Sequence, residues 1–205
     1  MLYFDVETQA NKNAIKFMPV PEAPGNYKDE AKIAAYIEAK QQEQIERAAL
    51  DADYGQIIAL GYKVDEQPVE AVLVNQSGLR EVDVLNLFWG LLALQRGECC
   101  GYNIIGFDLP YMLRRSFALG VKPKVLPNLR KYQTYPVCDL MGILYNWGQA
   151  KGLKLVAARY GLDNPLPDLD GSQVNAMDAE TLERYVKNDV NLVYQLYQKM
   201  RGVYL

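Results

Sequence analysis

Histidine is absent from all 205 residues. Without an imidazole there can be no Ser-His-Asp or Cys-His nucleophile system, no histidine-ligated zinc site and no imidazole general base. Any chemistry must come from carboxylates, Tyr, Lys, Cys or a bound metal. Cysteine is scarce: Cys99, Cys100 and Cys138 show no Cys-x-x-Cys spacing. Cys99 and Cys100 are adjacent, so on a strand they point apart, and all three read as small buried hydrophobes in a reducing compartment. Long hydrophobic runs are missing too. The most apolar stretch, residues 82–94, is broken by Asp83 and Asn86 and is too short to span a bilayer. No basic region followed by an apolar segment precedes the first strand, so a soluble, cytoplasmic protein is expected. There is no internal repeat and no low-complexity tail. Half of the residues are hydrophobic, enough for one well-cored domain or one domain with an appendage.

Neither sign of charge dominates the whole chain, whose net charge is −3, but the distribution is uneven. Residues 109–138 contain no Asp or Glu and six bases: Arg114, Arg115, Lys122, Lys124, Arg130 and Lys131. Tyr111, Phe117, Tyr132 and Tyr135 are interleaved with them. Basic charge beside aromatic faces is the footprint of a single-strand track; a solvated basic loop is the plain alternative.

Acids stand out by position. Asp5 and Glu7 lie one residue apart in Phe4-Asp5-Val6-Glu7-Thr8. The aromatic and β-branched residues around them predict a strand, on which both carboxylates project from one face. Near the other end, Leu182, Val186, Asp189, Val193, Leu196 and Met200 fall at the spacing of a buried helical stripe. Asp189 therefore sits at a core position, where an unpaired carboxylate is costly and needs a cation, either a metal or, as the plain alternative, a buried Arg or Lys. Tyr185 precedes it by one turn. Asp108 opens a helix with Pro110 in its first turn and Gly120 as its stop; taken singly it reads as an N-cap. Asp139, before residues 140–144, has the same capping reading and is left outside the site.

Strands are expected at residues 2–7, 56–62, 69–74 and 99–105, and helices at 81–95, 109–119, 139–147, 153–160 and 178–200. Residues 163–171 are rich in turn formers. Residues 9–53 form an excursion, first a Pro-rich loop and then a helix over about 29–50 with a thin apolar stripe. Three consecutive strands, then a helix and a strand, then helices, predict a mixed sheet flanked by helices, with ligands at the strand ends.

The three segments around Asp5 and Glu7, around Asn103-Ile104-Ile105-Gly106-Phe107-Asp108, and around Tyr185-Val186-Lys187-Asn188-Asp189 resemble, in order, the exonuclease motifs of the DnaQ-like (DEDD) 3′–5′ exonucleases, tyrosine subclass. Residues 101–111 and 153–162 are similar to the proofreading domain of B-family DNA polymerases. The resemblance spares only residues 9–53. It implies an RNase H-like α/β fold with a five-stranded mixed sheet: one exonuclease domain over 1–205 with a loop-helix insertion at about 9–53. It implies catalytic Asp5, Glu7, Asp108, Tyr185 and Asp189. Asp5 would bridge two divalent cations, Mg²⁺ or Mn²⁺, Glu7 and Asp189 completing the first and Asp108 holding the second. Tyr185 would orient the attacking water, and Asn103 would contact the terminal nucleotides. Thr8, Phe107, Tyr111, Arg114, Arg115, Lys122 and Lys124 join Asn103 as substrate-binding candidates.

The expected activity is trimming of single-stranded DNA from 3′ ends to nucleoside 5′-monophosphates. RNA trimming and a single-strand binding or docking module remain the alternatives. The insertion, rooted just after Glu7, is read as a mobile arm over the 3′ end, or else as a packed helix or dimer contact.

Overall fold

The computed structural model describes residues 1–205. The chain forms two compact units, residues 1–7 with 57–205, and residues 8–56. Five strands, β1 (Leu2–Ala10), β2 (Gly55–Val64), β3 (Glu70–Leu73), β4 (Cys99–Gly101) and β5 (Val137–Asp139), make one sheet in the order β3-β2-β1-β4-β5. A tight turn with Asp65 at φ 46° returns the chain into β3, antiparallel to β2. The parallel pairs β1–β4 and β4–β5 need longer crossovers. Helices α3 (Glu81–Leu94) and α4 (Asp108–Leu119) lie in those crossovers. The mixed α/β sheet expected from the sequence is therefore the one observed.

Both faces of β1 are covered. Phe4 packs on Phe88 of α3 with ring centroids 4.7 Å apart, and Phe88 meets Trp89 edge-on. On the opposite face Tyr3 takes the edges of Tyr194 and Tyr197 at 5.2 and 5.3 Å. Both belong to the last helix, α7 (Ala179–Met200), which Asp178 caps by accepting from the Thr181 N–H. The 182–200 stripe is buried throughout, as its spacing predicts. Gly61 of β2 lets α7 come close: a Cβ there would lie 2.8 Å from methyl groups of both Val186 and Val190. Helix α7 is thus seated on the sheet by the two residues flanking Asp189 at three before and one after. Cys99, Cys100 and Cys138, on β4 and β5, are all buried and unbridged.

Several elements differ from the sequence reading, and β1 runs on to Ala10. Strand β4 stops at Gly101 instead of Ile105, because the chain turns with Asn103 at φ 67°. The Asp139 carboxylate takes the N–H groups of Asn103 and Ile105 that a longer strand would give to a neighbour. The fifth strand, only three residues long, shows no alternation to read. Helix α5 (Leu140–Leu144) ends before Trp147, since Asn146 and Trp147 adopt positive φ. Helix α6 (Leu153–Tyr160) stops at Gly161, φ 66°, and α4 at Gly120, φ 70°, as expected of left-handed caps. A 3-10 turn over Gly171–Ala176, capped by Asp170, follows the turn-rich stretch.

The second unit holds α1 (Lys12–Ile15), capped by Asn11 in what the sequence suggested was loop, and α2 (Glu30–Arg47), capped by Asp29. No residue of α2 is buried, in keeping with its thin apolar stripe. No helix of the chain is long and apolar enough to cross a membrane.

Candidate functional site

Alternation along β1 puts Asp5 and Glu7 on one face, and α7 delivers Asp189 to the same place. Ligand oxygens of the three carboxylates lie within 4.8 Å of one another. Asp108 stands outside this trio. It is not the cap of α4, a place taken by Phe107. Its Oδ1 instead accepts the N–H of Val6 at 3.3 Å, on β1 between Asp5 and Glu7. Capping does not account for this buried acid; its tie to the strand does.

The electrostatics are those of negative charge crowded under cover. The Asp5 carboxyl is pushed well above its usual range by desolvation and by the charges of Glu7, Asp108 and Asp189. Glu7 rises to about 8, first from burial and then from Asp189 and Asp108. Asp108 rises to about 7, again mainly from burial, opposed by backbone N–H groups. Burial raises Asp189 as well, and Lys154, Tyr185 and Asn188 oppose that rise. The Tyr185 hydroxyl is driven upward by desolvation and by Asp189, Glu7 and Asp5, so it stays protonated.

Lys154, which the sequence reading did not single out, is the cation among these acids. Its ammonium on α6 pairs with Asp189 and lies 4.7 Å from the centroid of the Tyr185 ring. Nothing local marks it among the chain's 22 bases; only the packing of α6 on α7 reveals it. One lysine cannot neutralise four carboxylates, so in the metal-free fold burial favours their protonated forms. Such a set of hard oxygen donors fits divalent Mg²⁺ or Mn²⁺.

Asp139 caps α5 through the Gly142 N–H at 3.2 Å, as its sequence position suggests, but does more. The same carboxylate accepts from Asn103 N–H at 3.0 Å and Ile105 N–H at 2.9 Å. It therefore fixes the turn that carries Asn103 and leads into Asp108.

The substrate-binding candidates divide. Arg114, Lys122 and Lys124 are not buried, and Phe117 is 91 % exposed. Arg115 is buried, and its guanidinium grips both oxygens of Glu81 at 2.8 Å, joining α4 to α3. Tyr111 is also buried, with its ring 5.3 Å from that of Phe107. Phe107 and Asn103 are half-buried. Thr8, the first residue of the second unit, continues β1 and is half-buried.

This architecture is shared with a much larger protein. A family B DNA polymerase from the hyperthermophilic archaeon Pyrobaculum calidifontis superposes with a TM-score of 0.62 over 97 % of this chain, at 21 % identity. The chain spans only 24 % of that polymerase. The fold is thus of the PolB exonuclease kind. Residues 50–204 match the family of predicted 3′-5′ exonucleases related to the exonuclease domain of PolB, and the chain belongs to that family. No curated protein matches it.

Proposed function

We propose that the protein is a 3′–5′ exonuclease that hydrolyses the terminal phosphodiester of single-stranded DNA and releases nucleoside 5′-monophosphates. The observation that carries this reading is the convergence of Asp5 and Glu7 from β1 with Asp189 from α7, beside Asp108. In this reading Asp5, Glu7, Asp189 and Asp108 would hold two divalent cations. Once bound, the pair would supply positive charge at the attacking water and at the leaving 3′ oxygen, so no side-chain general base would be required.

The protein's own groups do the positioning. Tyr185, protonated and hydrogen-bonded to Asp189, orients the water through its hydroxyl. Lys154 holds Asp189 in place from α6. Asn103, fixed through Asp139, meets the terminal nucleotide. The bases Arg114, Lys122 and Lys124 grip phosphates without reading sequence. The domain is one exonuclease unit, with residues 9–53 an insertion in it.

The deciding experiment is digestion of matched end-labelled DNA and RNA oligomers with Mg²⁺, Mn²⁺ or EDTA. Metal-dependent release of mononucleotides from the 3′ end, faster on DNA, is the expected result. Binding without release would leave only a single-strand docking module; faster loss of the RNA would make it an exoribonuclease.

A further inference from the structure

The turn that carries Asn103 also borders a cavity of about 190 Å³, whose other walls the proposed chemistry does not use. Asn103, Lys131, Met141, Gly142 and Trp147 line it. Trp147 is its most distinctive wall. A Cβ on Gly142 would lie 2.6 Å from the indole, so the ring is seated against the backbone of α5 where only glycine leaves room. Tyr132 also meets the indole, centroids 5.6 Å apart. Trp147, Tyr132 and Asn103 all hold positive φ, at 59°, 65° and 67°. Bulky residues adopt that conformation at a cost, and such residues gather where a chain is held for a task.

The chemistry of the walls is selective. Asp139 borders the cavity, but its oxygens are engaged by three backbone N–H groups. The positive charge at the rim is the Lys131 ammonium, in a segment without any acid from residue 109 to 138. An aromatic face, an amide and an ammonium suit a flat neutral heteroaromatic ring attached to a phosphate. Asp139 on the cavity wall acts electrostatically on Asp108, which stands five residues beyond Asn103 in the chain.

We propose that this cavity is a nucleobase subsite, in which one base of the strand near its 3′ end stacks on Trp147 while Lys131 holds an adjacent phosphate. The assignment rests on the exonuclease reading and names how that site would grip a single strand. A base still paired in a duplex has no exposed face to place there, so the subsite admits only an unpaired end.

The chain reports on itself. It has two tryptophans, and Trp89 is 1 % exposed, its indole N–H bonded to Ser116 Oγ at 2.8 Å. Indole emission is followed while a short oligothymidylate is added to the full chain in EDTA, with binding read in parallel by anisotropy. Saturable quenching is expected. Trp147→Leu should abolish it and weaken affinity about tenfold, the scale of one base–aromatic stack, and Trp147→Phe should restore most of the affinity. A second series uses only the unaltered protein: one abasic position is moved along the oligomer, and affinity should fall at a single position near the 3′ end. No binding, binding without a change in emission, or indifference to every abasic position overturns the subsite. Quenching without any nuclease activity would sink the enzyme reading and leave the subsite standing; nuclease activity without quenching would do the reverse.

Discussion

At the scale of single residues, the site is a balance of charge. Asp5, Glu7 and Asp189 share one small volume with one lysine, Asp108 is tied to β1 next to them, and in the proposed reading each acid serves the cations. Asp5→Ala, Asp108→Ala and Asp189→Ala should each remove nearly all turnover while the far-UV spectrum stays that of the parent. A folded Asp189→Ala protein that degrades DNA at the parental rate would refute the assignment. Tyr185 has a gentler role. If, as proposed, its hydroxyl orients water and does not ligate, Tyr185→Phe should slow the chemical step by about 10²-fold or less and leave Mn²⁺ affinity almost unchanged. Loss of Mn²⁺ binding in that variant would make Tyr185 a ligand instead.

At the scale of elements, two neighbours on α4 separate surface from core. Arg114 faces outward, whereas Arg115 clasps Glu81 of α3. Neutralising Arg114, Lys122 and Lys124 together should flatten the slope of log affinity against log salt by roughly one unit for each phosphate that is no longer neutralised. Arg115→Ala should leave that slope alone and cost about 3 kcal/mol or more of stability, because it strands a buried carboxylate. A chemical denaturation curve and a salt titration of both variants check the contrast. The same pair shows where sequence reading stops. Composition reveals that residues 109–138 are basic, but Glu81, the partner of Arg115, lies in another helix, so only the fold reveals that one base is spent. Helix α7 is legible to within a residue, since its stripe and the Asp178 cap are both local. Strand β4 reads too long because its end is set by Asp139, which stands 36 residues after Asn103. Lys154 escapes notice for the same reason: its meaning comes from Asp189 across a helix interface.

At the scale of the whole molecule, the raised acids make stability depend on pH in a direction that can be checked. Glu7 goes from 4.5 to about 8 and Asp108 from 3.8 to about 7 in the metal-free fold. Between those limits the folded chain keeps protons that the unfolded chain has released. Its stability is therefore full below about pH 4 for these groups and is lost as pH rises through about 7 to 8. Thermal unfolding in EDTA should show Tm falling across that window relative to Glu7→Gln, and saturating Mg²⁺ should remove most of the difference. A difference that grows toward acid pH would contradict the burial of these carboxyls. Finally, the three thiols are sealed in the sheet at β4 and β5, and the chain carries no imidazole at all. The protein thus offers a metal neither an imidazole nitrogen nor an accessible thiol. Any paramagnetic Mn²⁺ it retains without an added affinity tag should show an electron-spin signature free of imidazole-nitrogen coupling, so metal stoichiometry and ligand identity become readable in one sample.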